Sequence, residues 1–466
     1  MSSNEIPQIN SAHFIGIGGV GMSGIALVAH ERGMTVSGSD LKESRISRAL
    51  SQHGIRVDIG HDAANLGDPY VVVVSSAIAA SNPELRAAKA RGIEIWPRAR
   101  MLAFLGQSMQ TIAVAGTHGK TTTSSMVATS LARLGADPTF LIGGVVDGYG
   151  TNAVSGSGQY YVVEADESDG SFTFLSPYIA MVTNIEEDHL DHYANLTEIE
   201  DAFVDFMSRT PQDGLIVIEG DDPRLPALAA RTGRRVITYG FSSDCDVRCV
   251  LDPGVSPGSA FTVILPDGSE GRLGLSSNPG AHNALNATAV MGVLWFLGFD
   301  VSRAAEALSR FSGVRRRFDR VGCEKGIQVV DDYGHHPTEV KATIAAAKGL
   351  GYKHVHVLFQ PHRYSRTEAL AKQWGSAFDQ ADTVTFMDVY SAGEAPIPGI
   401  SGKTLVDSVL SHNPRALVAW MPHREEVTHY LATRLKSGDL LLTMGAGDVT
   451  NMGPLLLKEL AEHKEA

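Results

Sequence analysis

Apolar runs and polar breaks alternate along this chain as strand, loop and helix, from the first residues to the last. Thr111 to Ala115 are mostly apolar and predict a buried strand, and Gly116 to Gly119 predict a tight loop. From Thr121 to Leu134 there is no Gly or Pro, and Met126, Val127, Leu131 and Leu134 recur at helical spacing, which predicts an amphipathic helix. The same order opens the chain: His13 to Ile17 as a strand, GIGGVG as a loop, a helix through His30, and a second strand in MTVSGSD. PYVVVVSSAI is a near-continuous apolar run, the pattern of a parallel strand buried on both faces. Further strands are predicted in QYYVVE, YIAMVTN, Gly214 to Gly220 and VITYG. Short strands within Asp244 to Leu275, separated by PGVSPG and PDG, predict antiparallel hairpins. In the last third, IQVVDDY, HVHVLFQ, TVTFMDVY, RALVAW and DLLLTMGAG alternate with helical segments, which predicts another parallel sheet.

Length turns this alternation into domains. At 466 residues with 43% hydrophobic content, the chain is too long for one ordinary core, and about three domains are expected. The breaks in pattern place them at residues 1–107, 108–314 and 315–466. A formal charge of -13 argues against nucleic acid or an anionic membrane as partner, while leaving room for a local basic pocket. Cys245, Cys249 and Cys323 have no metal-site spacing and read as thiols of a reducing compartment. MSSNEIPQIN lacks the basic and apolar parts of a signal peptide, and no run reaches the about 18 apolar residues of a membrane span. A cytoplasmic protein is expected.

Candidate chemistry collects at the strand ends. Gly116, Thr117, His118 and Gly119, followed by Lys120, Thr121 and Thr122 at a helix start, make a phosphate cradle: backbone N–H groups face the anion, Lys120 reaches its oxygens, and Thr121 can hold Mg²⁺. The loop is shorter than the usual P-loop. Gly16, Gly18 and Gly21, with Gly19 and Val20 between them, spell a dinucleotide-type loop, and Asp40 stands where a ribose-binding acid belongs. On those residues alone NAD is an option; the ATP loop that follows favours a nucleotide-sugar pyrophosphate. Ser75 and Ser76 end the PYVVVV strand on the ligand-binding side, and His61 is a weaker candidate nearby. Glu164 and His189 end two strands of the second domain and are expected to converge beside Lys120 and Thr121 as Mg²⁺ ligands. His282, Asn283 and Asn286 lie in the first turns of a helix, either as caps or as hydrogen-bonding groups for ATP. Arg317, in FSGVRRRFD, is placed to reach the ATP phosphates. DDYGHHPTEV and QPHRYSR put Tyr333, His335, His336, Arg363 and Arg366 at strand ends of the last sheet.

The shortened loop GTHGKTTT resembles that of the Mur ligase family, which joins amino acids to carboxylates of nucleotide-linked cell-wall precursors. HFIGIGGVGMSGIA, VVVVSSAI, EADESDGSF, TNIEEDHLDHY, PGAHNALNA, FSGVRRRFD, VDDYGHHPTEV, LFQPHRYSRT and APIPG extend the resemblance in order over about nine tenths of the chain. It implies an α/β protein of three domains: a Rossmann-like UDP-sugar domain, a central P-loop ATPase-like domain with a mostly parallel sheet plus antiparallel hairpins, and a C-terminal Rossmann-like domain. It implies ATP-dependent joining of L-alanine to the lactyl carboxylate of UDP-N-acetylmuramate, with Mg²⁺. By the same resemblance Lys120 and Thr121 hold phosphates and Mg²⁺, Glu164 and His189 hold metal, Asn283 and Arg317 meet ATP, and Tyr333, His335, Arg363 and Arg366 face substrate. Sister ligases carry a carbamylated lysine shortly after the DHLDHY segment; Thr197 to Arg209 contains no lysine, in line with the alanine-adding branch. The alternatives are a muropeptide-recycling ligase that loads a tripeptide, an NAD-dependent dehydrogenase built on GIGGVG and Asp40, and a nucleotide-binding scaffold without chemistry.

Overall fold

Five parallel strands form the first sheet, in the order Arg56–Ile59, Thr35–Asp40, Ser11–Ile15, Val71–Val74, Glu94–Pro97. The sequence changes direction of winding at Ser11–Ile15, so a crevice opens beside that strand's carboxyl end, where the GIGGVG loop lies. Phe14, Ile15 and Val71 to Val73 are fully buried, as the unbroken apolar run requires for a strand covered on both faces. The structure is a computed structural model and describes residues 9–75, 77–188, 192–256 and 258–462.

The chain divides into two compact units, the first made of Met1–Arg248, Leu265–Ser269 and Ala287–Leu308, the second of Cys249–Ile264, Glu270–Asn286 and Ser309–Ala466. Besides the five-stranded sheet, the first unit holds a run of strands ordered Val236–Gly240, Leu215–Glu219, Ile179–Val182, Gln110–Ala115, Tyr160–Glu164, Thr139–Val146, Thr151–Val154. All these neighbours pair in parallel except the last two, which form an antiparallel hairpin. The hairpin expectation for Asp244 to Leu275 is met by Phe261–Ile264 and Glu270–Leu273, which pair antiparallel in the second unit. Val247–Leu251 instead joins Val236–Gly240 in parallel, through Tyr239↔Val247 and Gly240↔Arg248.

The helix Lys120–Arg133 follows the glycine loop as predicted, but it is buried all round from Thr121 to Leu131 rather than along one stripe. Its hydroxyls make this possible by turning back onto the helix: Ser124 donates to the Lys120 carbonyl (2.8 Å), Ser125 to that of Thr121 (2.7 Å) and Thr129 to that of Ser125 (2.8 Å). These three hydroxyls are satisfied within the helix, whereas the buried Thr123 Oγ1 and Ser130 Oγ have no hydrogen-bond partner in the structure.

In the second unit, the sheet runs Asp319–Glu324, Ile327–Asp332, Leu440–Met444, Val355–Phe359, Thr383–Phe386, Val418–Trp420, parallel except for the first pair. Phe359 packs on Trp374, Phe378 and Phe386 with ring centroids 4.9, 5.4 and 6.3 Å away, which fixes the strand Val355–Phe359 in the core. Cys245, Cys249 and Cys323 form no disulfide with one another. Among the described residues no helix is long and apolar enough to cross a membrane.

Candidate active site

The GTHGK loop is held by the neighbouring strand end. Gly116 (φ 132°) and Gly119 (φ 84°) adopt conformations that L side chains disfavour, and a Cβ on Gly116 would collide with the Thr183 hydroxyl. Asn184 then grips the loop: its carbonyl accepts from Thr117 N–H (3.1 Å) and its side-chain oxygen from His118 N–H (2.8 Å), while the Thr183 hydroxyl donates to the His118 carbonyl (2.5 Å). The His118 ring faces Glu186, 3.5 Å from Nε2 to Oε2. Thr121 and Thr122 are buried in the helix's first turn.

Lys120 donates from Nζ to the carbonyls of Gly116 (2.5 Å) and Thr117 (3.2 Å) and to Glu167 Oε1 (2.7 Å). Burial works against its charged form, but Glu167, with Glu164 and Asp166 behind it, outweighs burial and holds the ammonium pKa above its ordinary value. Glu167 is itself buried, and Tyr193 O–H donates to its backbone carbonyl (2.7 Å). The sequence singled out Glu164 as a metal ligand beside Lys120; the carboxylate that touches Lys120 itself is Glu167, three residues further on. Glu164 Oε2 accepts from Gly143 N–H (2.9 Å), and Asp166 pairs with Arg98 (3.2 Å). His189 lies outside the described residues.

In the first sheet, the GIGGVG loop is braced by the acid expected to bind ribose. Asp40 Oδ2 accepts from Gly18 N–H at 2.9 Å, and a Cβ on Gly18 would stand 2.8 Å from that oxygen. Gly16 has φ 80° and shares the Ser39 carbonyl with Ile17, whereas Gly19 has φ -66°, open to any residue. Val20, Gly21, Arg98, Gly143, Glu164 and Asp166 line a cavity of about 200 Å³, so this loop and the acidic strand end of the central sheet open onto one space. Ser75 Oγ lies 4.0 Å from where a Cβ on Gly16 would stand; Ser76 is outside the described residues. His61 belongs to a buried network: its Nδ1 meets Ser39 Oγ (2.9 Å) and Glu84 Oε1 (3.0 Å), and Glu84 Oε2 meets His13 Nε2 at 2.6 Å. Burial would raise the Glu84 pKa, but bonds from His13, Ser39 and His61 reverse that and hold it below the ordinary carboxylate value.

A second cluster forms around Arg317 in the second unit. Arg316 (φ 62°) and Phe318 (φ 53°) flank it in the left-handed region, so the backbone turns sharply at each side. Phe318 N–H is anchored by Asp332 Oδ2 (2.8 Å) and the Arg317 carbonyl accepts from Asn278 Nδ2 (3.1 Å). The result sends Arg316 to Asp331 (3.2 Å) and the Gly445 carbonyl (2.6 Å), and Arg317 to Glu339 (3.5 Å) and the face of Tyr333, 5.0 Å from the ring centroid. His335 stands edge-on to Tyr333 (5.2 Å) and to His362 (6.0 Å). Burial, opposed by Glu339 and reinforced by Arg366 and Arg317, pushes the His335 pKa down to about 3, so the ring is neutral at pH 7. Burial likewise lowers His282 to about 4 and raises Asp332 to about 6.

Other predicted residues separate. His336 caps the helix Pro337–Lys348, accepting from Thr338 N–H at 3.4 Å, a structural position for a residue expected at substrate. Arg366 meets His362 Nδ1 (3.3 Å), while Arg363, with φ 68°, faces Glu394 at 3.9 Å. The two arginines, expected to act as a pair, therefore diverge because the chain between them starts a helix, Tyr364–Ala369. Asn283 Nδ2 donates to the Pro279 carbonyl (3.2 Å), and its oxygen accepts from Asn286 (3.2 Å). Glu167, Asn184, Asp332, Glu339 and His362 were not singled out from sequence. Glu167 and Glu339 sit inside quoted motifs, but nothing in their spacing separates a residue that touches a cation from its acidic neighbours.

Three family models cover most of the chain: the Mur ligase family catalytic domain at residues 11–109, the Mur ligase middle domain at 114–294 and the Mur ligase glutamate ligase domain at 316–447. The chain belongs to the Mur ligase family. It is 46% identical over 455 residues to a UDP-N-acetylmuramate–L-alanine ligase of Syntrophotalea carbinolica, covering 98% of this chain and 99% of that one. A ligase of the same description from Geobacter sulfurreducens is 45% identical over 464 residues, covering 98% and 99%. Among solved structures, the UDP-N-acetylmuramate-alanine ligase of Thermotoga maritima superposes with a TM-score of 0.79 at 30% identity, covering 97% of this chain and all of that one. A murein peptide ligase of Psychrobacter arcticus gives 0.72 at 27% identity, covering 98% and 100%. The three-domain α/β architecture implied by the motifs is thus that of Mur ligases.

Proposed function

We propose that this chain joins L-alanine to UDP-N-acetylmuramate in the cytoplasm, using ATP to activate the lactyl carboxylate. What carries the reading is the latched GTHGK loop, with Lys120 charged and oriented, in a chain 46% identical along nearly its whole length to a ligase of that description. The carboxylate oxygen attacks the γ-phosphorus, ADP leaves, and an acyl phosphate results. The alanine amine then attacks the acyl carbon, loses a proton, and phosphate departs with the bonding electron pair. Such chemistry needs positioning and charge neutralisation more than a protein nucleophile.

In this reading, Gly116 to Gly119 and the helix start at Thr121 and Thr122 present N–H groups to the ATP phosphates, and Lys120 moves from Glu167 to the γ-phosphoryl oxygens. Glu164, Glu167 and Asp166 surround one lysine and one arginine, an excess of negative charge that fits a divalent cation between carboxylates and triphosphate. Thr121, Glu164 and His189 would hold Mg²⁺, which supplies neutralisation of phosphoryl charge. Gly16 to Gly21 take the UDP pyrophosphate, with Asp40 bracing the loop; Asn283 and Arg317 meet ATP. Tyr333, His335 and Arg366 form the amino-acid side, with His335 acting as a neutral hydrogen-bonding group. The domain limits 1–107, 108–314 and 315–466 follow this division of labour.

ADP release, followed with UDP-N-acetylmuramate and each amino acid in turn, tests the proposal. It requires release that depends on both the sugar nucleotide and L-alanine. Release without an amino acid, or with a tripeptide in place of alanine, overturns it in favour of a bare ATPase or the recycling ligase.

A further inference from the structure

The strand Val355–Phe359 carries chemistry at its amino end that the ligase reaction does not use. His354 and His356 are two residues apart in extended chain, so both rings fall on one face of the sheet while Val355 and Val357 fill the core on the other. The neighbouring strand Leu440–Met444 runs parallel, pairing Val355 with Leu440 and His356 with Leu441. That register sets Asp439 beside His354, on the same face as the two rings. The motif residues Tyr333 and His335 follow the carboxyl end of the parallel strand Ile327–Asp332, and Arg366 that of Val355–Phe359, at the opposite edge of the sheet.

The three side chains converge. His354 Nδ1 is 2.9 Å from Asp439 Oδ1, His356 Nε2 is 3.2 Å from Asp439 Oδ2, and one ligand atom from each of the three lies within 4.8 Å of the others. A tetrahedral Zn²⁺ with bonds of about 2.0–2.1 Å separates its ligand atoms by about 3.3 Å, so the set needs only small shifts to close on an ion. The outer contacts are also those of a metal site. His356 Nδ1 lies 2.7 Å from Thr383 Oγ1, which, with the proton on Nδ1, leaves the Nε2 lone pair toward Asp439, and Lys436 N–H fixes Asp439 Oδ2 at 2.8 Å. Asp439 is buried, whereas the His354 side chain is 55% exposed, so an ion has a route in and a coordination position left for water.

We propose that His354, His356 and Asp439 form a site for a borderline divalent transition ion, Zn²⁺ by preference, that ties Val355–Phe359 to Leu440–Met444 at the edge remote from the ligase chemistry. Imidazole nitrogens select such an ion over Mg²⁺, which prefers oxygen ligands. The alternative is a plain hydrogen-bonded His–Asp–His group that binds nothing.

Full-length protein stripped with chelator and titrated with Zn²⁺ by calorimetry, and with Co²⁺ by visible absorption, separates the two. One equivalent of Zn²⁺ and a tetrahedral Co²⁺ spectrum are expected, with Mg²⁺ at equal concentration failing to compete. His354→Gln changes an exposed ring and should fold normally, keep ligase activity, and lose that equivalent. Thr383→Val should weaken it about 10- to 100-fold, as removal of an orienting partner does. Absence of the equivalent, or an equal affinity in His354→Gln, overturns the site.

Discussion

The chain contains two glycine loops with the same local plan, and they are held in place by different groups. Gly16 to Gly21 and Gly116 to Lys120 each leave the end of a parallel strand and enter a helix, Val20–Glu31 in one case and Lys120–Arg133 in the other. In the first, a carboxylate holds the loop: Asp40 takes Gly18 N–H, and the fixed charges around the helix start are those of Arg98, Glu164 and Asp166. In the second, the loop is held by the neutral groups of Thr183 and Asn184, and it carries its own cation, Lys120, parked on Glu167. A glycine loop before a helix is therefore a shared local plan, while the groups brought in from elsewhere in the chain set the charge around it, and in the proposed function that charge is what distinguishes the two anions.

The largest difference expected between the loops is chemical. Lys120→Ala should lower kcat by at least ~10²-fold, the scale of losing one preorganised charge from a transition state. Near-normal turnover would mean that the second loop does not handle the transferred phosphoryl group.

Glycine substitutions sharpen the contrast next. Gly116→Ala places a Cβ against Thr183 at φ 132°, and should destabilise the protein by about 1–3 kcal/mol or more, read as a fall in denaturation midpoint. Gly19→Ala meets nothing closer than 3.5 Å at φ -66° and should leave stability within about 0.5 kcal/mol. If the first loop holds pyrophosphate at close range, Gly19→Ala still raises the KM for UDP-N-acetylmuramate; an unchanged KM would remove the ligand from that loop.

Asp40 separates bracing from ligand contact. Asp40→Asn retains an oxygen for Gly18 N–H and should change the KM for the sugar nucleotide little, whereas Asp40→Ala leaves that donor without its acceptor and should raise it about tenfold. Equal damage in both variants would show that the charge, not the brace, matters. The smallest expected effect is none: UDP-N-acetylmuramate should raise the melting temperature by mass action, while NAD(H) and NADP(H) should not. A shift with NAD(H) alone would restore a dinucleotide to the first loop.

The alternation of apolar and polar runs was enough to read the three-part α/β plan, both glycine loops, and the strand ends where the candidate residues stand. Those features are local: period, turn residues and helix starts are written in a few consecutive positions, as Thr111 to Leu134 shows. The short strands Arg56–Ile59, Glu94–Pro97 and Asp319–Glu324 escaped because four to six residues of mixed polarity carry no clear period, and their pairing with a neighbour is what makes them strands. The same limit governs the candidate site. Sequence put an acid at the end of Tyr160–Glu164, but only the path of the chain beyond that strand sends Glu167, not Glu164, to Lys120. It singled out Arg317 within FSGVRRRFD, but only the left-handed turns at Arg316 and Phe318 send Arg316 to Asp331 and Arg317 to Glu339. Arg363 and Arg366 look alike in QPHRYSR, yet the intervening helix start points them to Glu394 and His362. Local pattern determines which elements form and what kinds of group sit at their ends, because that depends on nearest neighbours. Which carboxylate meets which cation depends on distances between residues far apart in the chain, and these exist only once the sheets have packed.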